Sequence, residues 1–208
     1  MKNAIFLSAC IALAGAAFAE EEPVPVENVL EPVALTSLGD VDEALIQRAA
    51  AWARDNLAIP VPVKINEAEN TAGSFEEVRD LLAGMGEGGQ LGLVVLWDAP
   101  EGVSSHGTYF PDEKVAVVNV RAMKEGGPDE ETFARRVERQ VIRGICFAMG
   151  LEPNPNPQSA MFSYSTMEEL DAIGRNLDPP WLMRLQKAAQ DAGVPVDPEN
   201  PFNLVTPR

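Results

Sequence analysis

The chain has very few of the side chains from which transition-metal sites and disulfides are built. Its 208 residues include one histidine, His106, and two cysteines, Cys10 and Cys146. Zinc sites in proteins combine several histidine, cysteine or carboxylate ligands, so a site based on histidine or cysteine is not expected. No disulfide can form within the chain once Cys10 is removed with a leader. Stability must then come from a packed hydrophobic core.

Basic residues are also scarce. Lysine and arginine together number 16, against 32 aspartates and glutamates, which gives a net charge of −16. A surface of this charge repels phosphate groups, so nucleic acid is excluded as an expected partner. Beyond the N-terminal leader, no apolar run approaches the roughly 20 residues of a membrane-spanning helix, so a membrane-spanning protein is not expected.

Residues 1–19 have the pattern of a secretory signal peptide. Lys2 precedes a long apolar run, and the run is followed by the small-x-small sequence Ala-Phe-Ala, which ends at Ala19. We expect cleavage after Ala19 and hence an exported protein, periplasmic or secreted. An alternative interpretation is a lipoprotein with Cys10 as the lipidated residue, but it would leave only about five apolar residues before the cut.

The distribution of proline and of hydrophobic periodicity divides the rest of the chain. Residues 20–38 are rich in proline and glutamate and show no helical period, which predicts an extended arm. One folded domain is predicted over 39–194, and a proline-rich tail over 195–208. No internal repeat is present.

The first half of the folded domain has two helical patterns. Asp40 and Glu43 stand at capping-box spacing before an apolar stripe that predicts a helix to about Leu57. Val61–Ile65 is predicted to be a short strand. Ser74-x-x-Glu77 has the spacing that begins a second helix.

Two continuous runs of β-branched and large apolar residues, Leu91–Trp97 and Lys114–Val120, predict strands that are buried on both faces. Between Asp129 and Met149, apolar residues at i, i+4 spacing predict a long central helix, which Gly150 can end in a left-handed conformation.

Two shorter helices are expected after the central one. Thr166-x-x-Glu169 and Asp178-Pro179 have the sequences with which helices begin. The predicted fold class is therefore α/β (α+β), with helices packed on a small mixed β-sheet.

Several of these features follow one another at fixed intervals: Gly150 at the end of the long helix, Met161 eleven residues later, and the sequence Leu-Met-Arg-Leu-Gln at 182–186. In this order and spacing the chain from Val115 to Gln186 resembles the archaemetzincins, which are metzincin-type zinc metallopeptidases with the motif H-E-x-x-H-x-x-G-x3-C-x4-C-x-M and a later C-x-x-C. The resemblance implies a metzincin-like fold, and Met161 falls on the methionine of that motif.

The resemblance does not extend to the catalytic residues. Arg143 and Phe147 stand at the positions of the two helical histidines, Pro153 at that of the third histidine, and Gly144 at that of the general-base glutamate. None of the first three side chains can donate a lone pair to zinc, and glycine cannot accept a proton from water. The chain is thus expected to be a degenerate member with neither catalytic nor metal-binding residues.

The family's second metal site is built from cysteines, and this chain has none at those positions. They are occupied by Asn154, Ser159, Asp178 and Trp181. Structural zinc of this type requires thiolates, so this site too is expected to hold no metal. We expect Asp178 to cap the last helix and Trp181 to fill apolar volume.

Arg136, Arg139 and Arg143 recur at helical intervals and form one basic stripe. Such a stripe is usually a solvated helix face, and the alternative is a surface that binds an acidic or peptide partner. His106 follows Ser104 and Ser105, so a hydrolase site is a second alternative, although a lone histidine needs a placed nucleophile and acid.

These observations favour an exported, non-catalytic, archaemetzincin-like protein: a pseudo-peptidase that serves as a binding or structural module. No cofactor is expected, and a protein or peptide partner is not identified by the sequence. The alternative is an active metal-dependent peptidase or hydrolase with other ligands, which would require zinc and predicts an activity that depends on His106.

Overall fold

The structure is a computed structural model and describes residues 31–82, 89–197 and 199. The predicted signal peptide with its cleavage site at Ala19, the alternative lipidation site Cys10, the first residues of the arm and most of the C-terminal tail lie outside the described residues. In the part of the chain that is described, no helix has both the length and the hydropathy needed to cross a membrane.

Four strands form a mixed sheet in the order β1-β2-β4-β3. β1, β2 and β4 are parallel, and β3 pairs with β4 in the antiparallel direction at one edge. The strands are β1 Ala34–Leu38, β2 Leu93–Trp97, β3 Gly107–Phe110 and β4 Val115–Asn119.

Among the described residues, five α-helices surround this sheet, together with a turn of 3-10 helix at Ala122–Lys124. The α-helices are α1 Glu43–Leu57, α2 Phe75–Leu82, α3 Glu130–Ala148, α4 Met167–Ala172 and α5 Pro179–Asp191. The predicted fold class is confirmed: a small mixed sheet, a long central helix (α3) and two shorter helices after it.

Alternate residues of the central strands belong to two different cores. In β2, Val94 and Leu96 pack with α1 and α3, whereas Leu93, Val95 and Trp97 pack with α2. All five residues of β2 and all five of β4 are buried. Strands that helices cover on both faces have continuous apolar runs in their sequence. These two strands could therefore be predicted from the sequence.

Three predictions about the first half of the chain are corrected. The arm does not extend to residue 38, because Ala34–Leu38 is strand β1, hydrogen-bonded in parallel to β2. Val61–Ile65 is not a strand, since only Val63 forms a bridge, to Leu35. The cap of α1 is Asp42 rather than Asp40: its carboxylate accepts from the Ala44 N–H at 2.9 Å.

α3 begins and ends as the sequence predicts. The Asp129 carboxylate accepts from the Thr132 N–H at 2.7 Å and caps the N-terminus. At the other end Gly150 has a φ of +79°, and the Leu151 N–H donates to the Cys146 carbonyl at 2.9 Å. This pairing is the Schellman arrangement, in which a left-handed glycine closes the last helical turn.

Candidate functional site

The candidate site is a cavity of about 530 Å³ between the edge strand β3 and the helix α3. We call it the cleft. Its floor is β4, and its far side is closed by Tyr164 and Ser165, which precede α4. The lining residues are Ser104, Ser105, His106, Gly107, Thr108, Tyr109, Ala116, Val117, Val118, Gln140, Arg143, Gly144, Phe147, Tyr164 and Ser165.

α3 supplies one wall of the cleft through residues spaced three and four apart. Gln140, Arg143 and Phe147 lie on the same face of the helix because side chains at such spacing are neighbours. Gly144 brings this face close to the sheet: a Cβ built on it would lie 3.0 Å from the Ala116 Cβ and 3.0 Å from a Val94 methyl group. The absence of a side chain at 144 therefore allows the close contact between α3 and the sheet.

Arg143 is half-buried and is held by backbone oxygens. Its Nη1 donates to the Ala160 carbonyl at 2.8 Å and to the Phe162 carbonyl at 2.7 Å. Its Cζ lies 5.2 Å from the ring centroid of Tyr164 and 5.7 Å from that of Phe147. Burial lowers the pKa of this guanidinium, because removal from water disfavours the charged form.

Two pairs of stacked rings frame the cleft. Tyr109 on β3 stacks on Phe147 with centroids 5.6 Å apart, and His106 stacks on Tyr164 at 5.6 Å with an angle of 8° between the planes. Burial raises the pKa of Tyr109, and burial is also the main cause of the raised pKa of Tyr164, which the charge of Arg143 partly offsets. The two tyrosine rings therefore stay uncharged at neutral pH.

Asn119, the last residue of β4, holds the loop that carries His106. Its Nδ2 donates to the carbonyls of Val103 at 2.9 Å and Ser105 at 3.1 Å, and its Oδ1 accepts from the Ala122 N–H at 3.1 Å. The side chain is fully buried. A buried amide that is satisfied on both sides fixes the loop conformation, and so it positions the rim of the cleft.

The outer side of β3 is the open edge of the sheet. The Asn119 N–H donates to the His106 carbonyl at 3.0 Å, and hydrogen-bonded positions alternate along an antiparallel pair. The backbone groups of Gly107 and Tyr109 consequently face away from β4. Unpaired strand edges of this kind can accept another extended chain.

The residues at the family's catalytic positions do not fit a zinc ion. Arg143, Gly144 and Phe147 line the cleft, whereas Pro153 is exposed and takes no part in it, and Met161 is buried in the core. A guanidinium, a phenyl ring and a proline cannot ligate zinc. Among the described residues, no group of three or more histidine, cysteine, aspartate or glutamate side chains is placed to share a metal ion.

The four residues that the sequence resemblance assigns to a second metal site bond to their own surroundings. Asn154 Nδ2 donates to Asp178 Oδ1 at 2.6 Å, and Trp181 Nε1 donates to the Glu152 carbonyl at 3.0 Å. Ser159 is buried, and its Oγ accepts from the Met161 N–H at 3.4 Å. Asp178 stands at the start of α5, but its side chain makes no cap hydrogen bond. The predicted capping is therefore wrong, because Asn154 uses the carboxylate instead.

The expectation that Arg136, Arg139 and Arg143 form one solvated helix face is wrong for the first two, whereas Arg143 is half-buried and lines the cleft. Arg136 and Arg139 are only 5% and 6% exposed. Arg136 forms a bidentate ion pair with Asp171 of α4, with Nε–Oδ1 and Nη2–Oδ2 distances of 2.9 and 2.6 Å. The pairing carboxylate is 35 residues away in sequence, so helical spacing alone could not reveal that this face is internal.

The residues Gln140, Tyr109, Tyr164 and Asn119 were missed by sequence reasoning. Gln140 could have been found, since it precedes Arg143 by three residues and shares its helix face. Its Nε2 donates to the Tyr164 hydroxyl at 2.9 Å. Tyr109, Tyr164 and Asn119 come from a strand, a loop and a strand end, and their sequence neighbours do not signal a common site.

The cleft does not contain an assembled nucleophile and base. His106 Nε2 lies 3.8 Å from a Glu125 carboxylate oxygen, and no hydrogen bond between described residues joins the imidazole to Ser104 or Ser105. Catalytic pairs of this kind meet within about 3.2 Å. Cys146 is fully buried, and burial raises the pKa of its thiol, so the thiolate needed for nucleophilic chemistry is disfavoured.

No protein-family model matches the sequence, and no curated protein matches it. Solved structures do match. The archaemetzincin of Methanopyrus kandleri has a TM-score of 0.63 at 21% identity and covers 80% of this chain and 99% of its own. A zinc-dependent peptidase of Methanocorpusculum labreanum has a TM-score of 0.59 at 14% identity, and the archaemetzincin of Archaeoglobus fulgidus, complexed with malonate, has 0.54 at 13%. Each of these two covers 74% of this chain and 99% of its own. The four-stranded mixed sheet, the long central helix and the two helices after it are therefore those of the archaemetzincin fold.

Proposed function

We propose that this protein is a non-catalytic, exported binding module with the archaemetzincin fold, and that it holds an extended peptide segment in the cleft. The observation that supports this proposal is the cleft itself. It has a volume of about 530 Å³ and an open strand edge, yet the catalytic positions within it are Arg143, Gly144 and Phe147. A cavity with converging polar groups and aromatic walls is the usual form of a binding site.

The loss of peptidase activity follows from two separate requirements. Hydrolysis by a zinc peptidase needs side-chain ligands for the metal and a general base for the attacking water. Arg143 and Phe147 remove the first, and Gly144 removes the second. Restoring one of them would not restore the other.

Binding of an extended peptide follows from the open edge of β3. The N–H and carbonyl groups of Gly107 and Tyr109 face outward, and a peptide that adds to a strand edge gains its affinity from such main-chain groups. Export is consistent with this role, because the signal sequence at 1–19 would deliver the protein to a compartment outside the cytoplasm.

The catalytic half of the proposal is tested with the purified mature protein. After incubation with zinc and removal of free metal, we expect no stoichiometric zinc by metal analysis and no chelator-sensitive cleavage of casein. Bound zinc together with cleavage that a chelator abolishes would overturn the proposal. A hydrolase activity that disappears in His106→Ala would instead establish the alternative function.

The binding half is tested by retention of peptides from a chymotryptic digest of casein, quantified by mass spectrometry. Tyr109→Pro and Tyr109→Ala both remove the ring, but only proline removes the outward N–H, and proline is tolerated at strand edges. We expect the alanine variant to retain peptides at least several-fold better than the proline variant. Equal retention by the two variants would rule out addition to β3.

A further inference from the structure

Two arginines on α3, two helical turns apart, are anchored in the same manner. Nη1 of Arg136 donates to the carbonyls of Met123 and Glu125 at 2.9 and 2.7 Å. Nη1 of Arg143 likewise donates to two backbone carbonyls, at 2.8 and 2.7 Å. In each case the Nη1 group is fully used, and the Nε–Nη2 edge of the guanidinium is directed elsewhere.

The two arginines differ at this second edge. Nε and Nη2 of Arg136 donate hydrogen bonds to the two carboxylate oxygens of Asp171. Nε and Nη2 of Arg143 have no hydrogen-bond acceptor among the described residues. They are nevertheless not fully buried, since polar atoms that are both buried and without a partner occur elsewhere in the described structure but not in Arg143. The edge is therefore accessible from the cleft, which Arg143 lines. A guanidinium has five N–H donors, and three of those of Arg143 remain available.

The cleft lacks the acidic group that would complete the arrangement. The chain contains 32 aspartates and glutamates, yet none lines the cleft in the part of the structure that is described. The polar lining consists instead of neutral donors, among them the hydroxyls of Ser104, Ser105, Thr108 and Ser165. The carboxylate of Glu125 lies within ion-pair distance of His106, but the Glu125 side chain is 68% exposed and does not line the cleft.

The electrostatics of the two sites differ accordingly. The hydrogen bonds that Arg136 donates to Asp171 raise the pKa of Arg136, whereas burial lowers the pKa of Arg143, to which no carboxylate contributes. A cation taken out of water without a counter-charge is unfavourable. An anion at the open edge would remove this penalty and add charge-assisted hydrogen bonds.

We propose that the Nε–Nη2 edge of Arg143 binds the carboxylate of an organic ligand, in the way that the same edge of Arg136 binds Asp171. This inference deepens the proposed binding function and rests on it, because it names the chemistry that the cleft recognises. A second groove of about 510 Å³ adjoins the cleft and shares Tyr109 and Phe147 with it. Its lining is mostly apolar, including Leu91, Met149 and Leu151, and it can accept the apolar part of the ligand.

Such a carboxylate has two sources, the C-terminus of a peptide and a small organic acid. The test uses two matched pairs of probes: N-acetyl-Ala-Ala-Phe with its C-terminal amide, and phenylacetate with phenylacetamide. Each is titrated into the full mature protein and followed by calorimetry and by the NMR signals of the two tyrosines, both of which line the cleft. We expect an acid to bind at least tenfold more tightly than its amide.

Variants of Arg143 test whether this residue causes the preference for the acid over the amide. Arg143→Met should abolish the preference for the acid, and Arg143→Lys, which keeps the charge but loses the forked edge, should reduce it several-fold. Arg184→Met is the matched control: it changes the net charge equally, but Arg184 is exposed and lies over Trp181, outside the cleft. It should keep the full preference.

The outcomes separate the possibilities. A preference confined to the tripeptide pair identifies a peptide C-terminus, and an equal preference in both pairs identifies a small organic acid. Equal binding of acid and amide in the cleft would overturn the carboxylate inference while leaving the binding function intact. Failure of every acid to bind at roughly 10 mM would also overturn it. Because the acid–amide comparison uses the unaltered protein, it decides the matter even if Arg143→Met does not fold.

Discussion

By the sequence resemblance, the cleft and the segment from Asn154 to Asp178 are expected to correspond to the two metal sites of archaemetzincins, and they differ in how their side chains are bonded. In the segment, Asn154 and Asp178 bond directly to each other at 2.6 Å, and Asn156 Nδ2 donates to the same carboxylate at 3.2 Å. In the cleft, the Arg143 guanidinium lies over the Phe147 ring, with Cζ 5.7 Å from its centroid, and a cavity of about 530 Å³ remains between β3 and α3.

This difference indicates how each region contributes to the stability of the fold. A cross-link that fixes a loop can be supplied by hydrogen bonds, because a buried amide and a carboxylate satisfy each other at close range. In the cleft, by contrast, Arg143 bonds two backbone carbonyls but has no carboxylate partner among the described residues, so its burial costs desolvation free energy. The segment therefore stabilises the fold, and the cleft is the region available for function.

The largest expected effect comes from breaking the hydrogen-bonded segment. Asn154→Ala removes the donor to Asp178 and the acceptor of the Asn156 N–H at 2.9 Å. Because Asn154 is buried and one partner is charged, we expect the free energy of unfolding to fall by about 2–3 kcal/mol. Urea unfolding followed by circular dichroism measures it.

Asn156→Ala is the control for this change. Asn156 is half-buried and its bond to Asp178 is longer, at 3.2 Å, so its removal should cost no more than about 1 kcal/mol. Equal losses in the two variants would mean that the Asn154–Asp178 contact is not what holds the segment.

A smaller effect is expected at the floor of the cleft. Gly144→Ala places a methyl group 3.0 Å from both Ala116 and Val94, which is tighter than ordinary packing. The helix must shift from the sheet, and we expect a loss of about 1–2 kcal/mol in unfolding free energy. Gly73→Ala, where the nearest atom is a Glu77 oxygen at 3.5 Å, should leave stability within about 0.5 kcal/mol. A stable Gly144→Ala protein would show that α3 can move freely.

Arg143→Met should change the free energy of unfolding less than Asn154→Ala or Gly144→Ala. The variant frees two backbone carbonyls but also removes a desolvated charge, so the net change is expected to stay within about 1 kcal/mol. Urea unfolding alongside Asn154→Ala provides the comparison. A loss as large as that of Asn154→Ala would assign Arg143 to holding the loop at Ala160 and Phe162 rather than to a ligand.

The finest test is the alkaline titration of the tyrosines. The chain has only two, Tyr109 and Tyr164, and both have raised pKa values in the folded protein. The unfolded chain therefore loses these protons first, so the contribution of the two tyrosines to stability is constant below about pH 10 and falls as the pH rises above it. Absorbance at high pH measures the ionisation.

The same titration connects the cleft to Arg143. The positive charge of Arg143 lowers the pKa of Tyr164, so Arg143→Met should move the ionisation of Tyr164 to higher pH. Tyr109→Phe isolates the signal of Tyr164. An unchanged midpoint in the double variant would show that Arg143 does not face this ring.

Much of the fold could be predicted because its signals are local. The buried runs around Leu93–Trp97 and Val115–Asn119, and the cap of α3 at Asp129, depend on residues adjacent in sequence. Strand β1 was missed because its five residues follow a proline-rich stretch and gain their hydrogen bonds from residues distant in sequence, those of β2 and of 62–64. Asp42 replaced Asp40 as the cap because capping spacing is ambiguous where two acidic residues lie close together.

The sequence by itself determined the two central buried strands, the long helix α3 and the two helices after it, since hydrophobic period and capping chemistry belong to the residues themselves. Only the tertiary structure decided which charges are paired. Asp171 is brought to Arg136 by the packing of α4 on α3, and nothing acidic in the described part of the chain is brought to Arg143. Pairing depends on distance between groups far apart along the chain, and helical spacing contains no information about that distance.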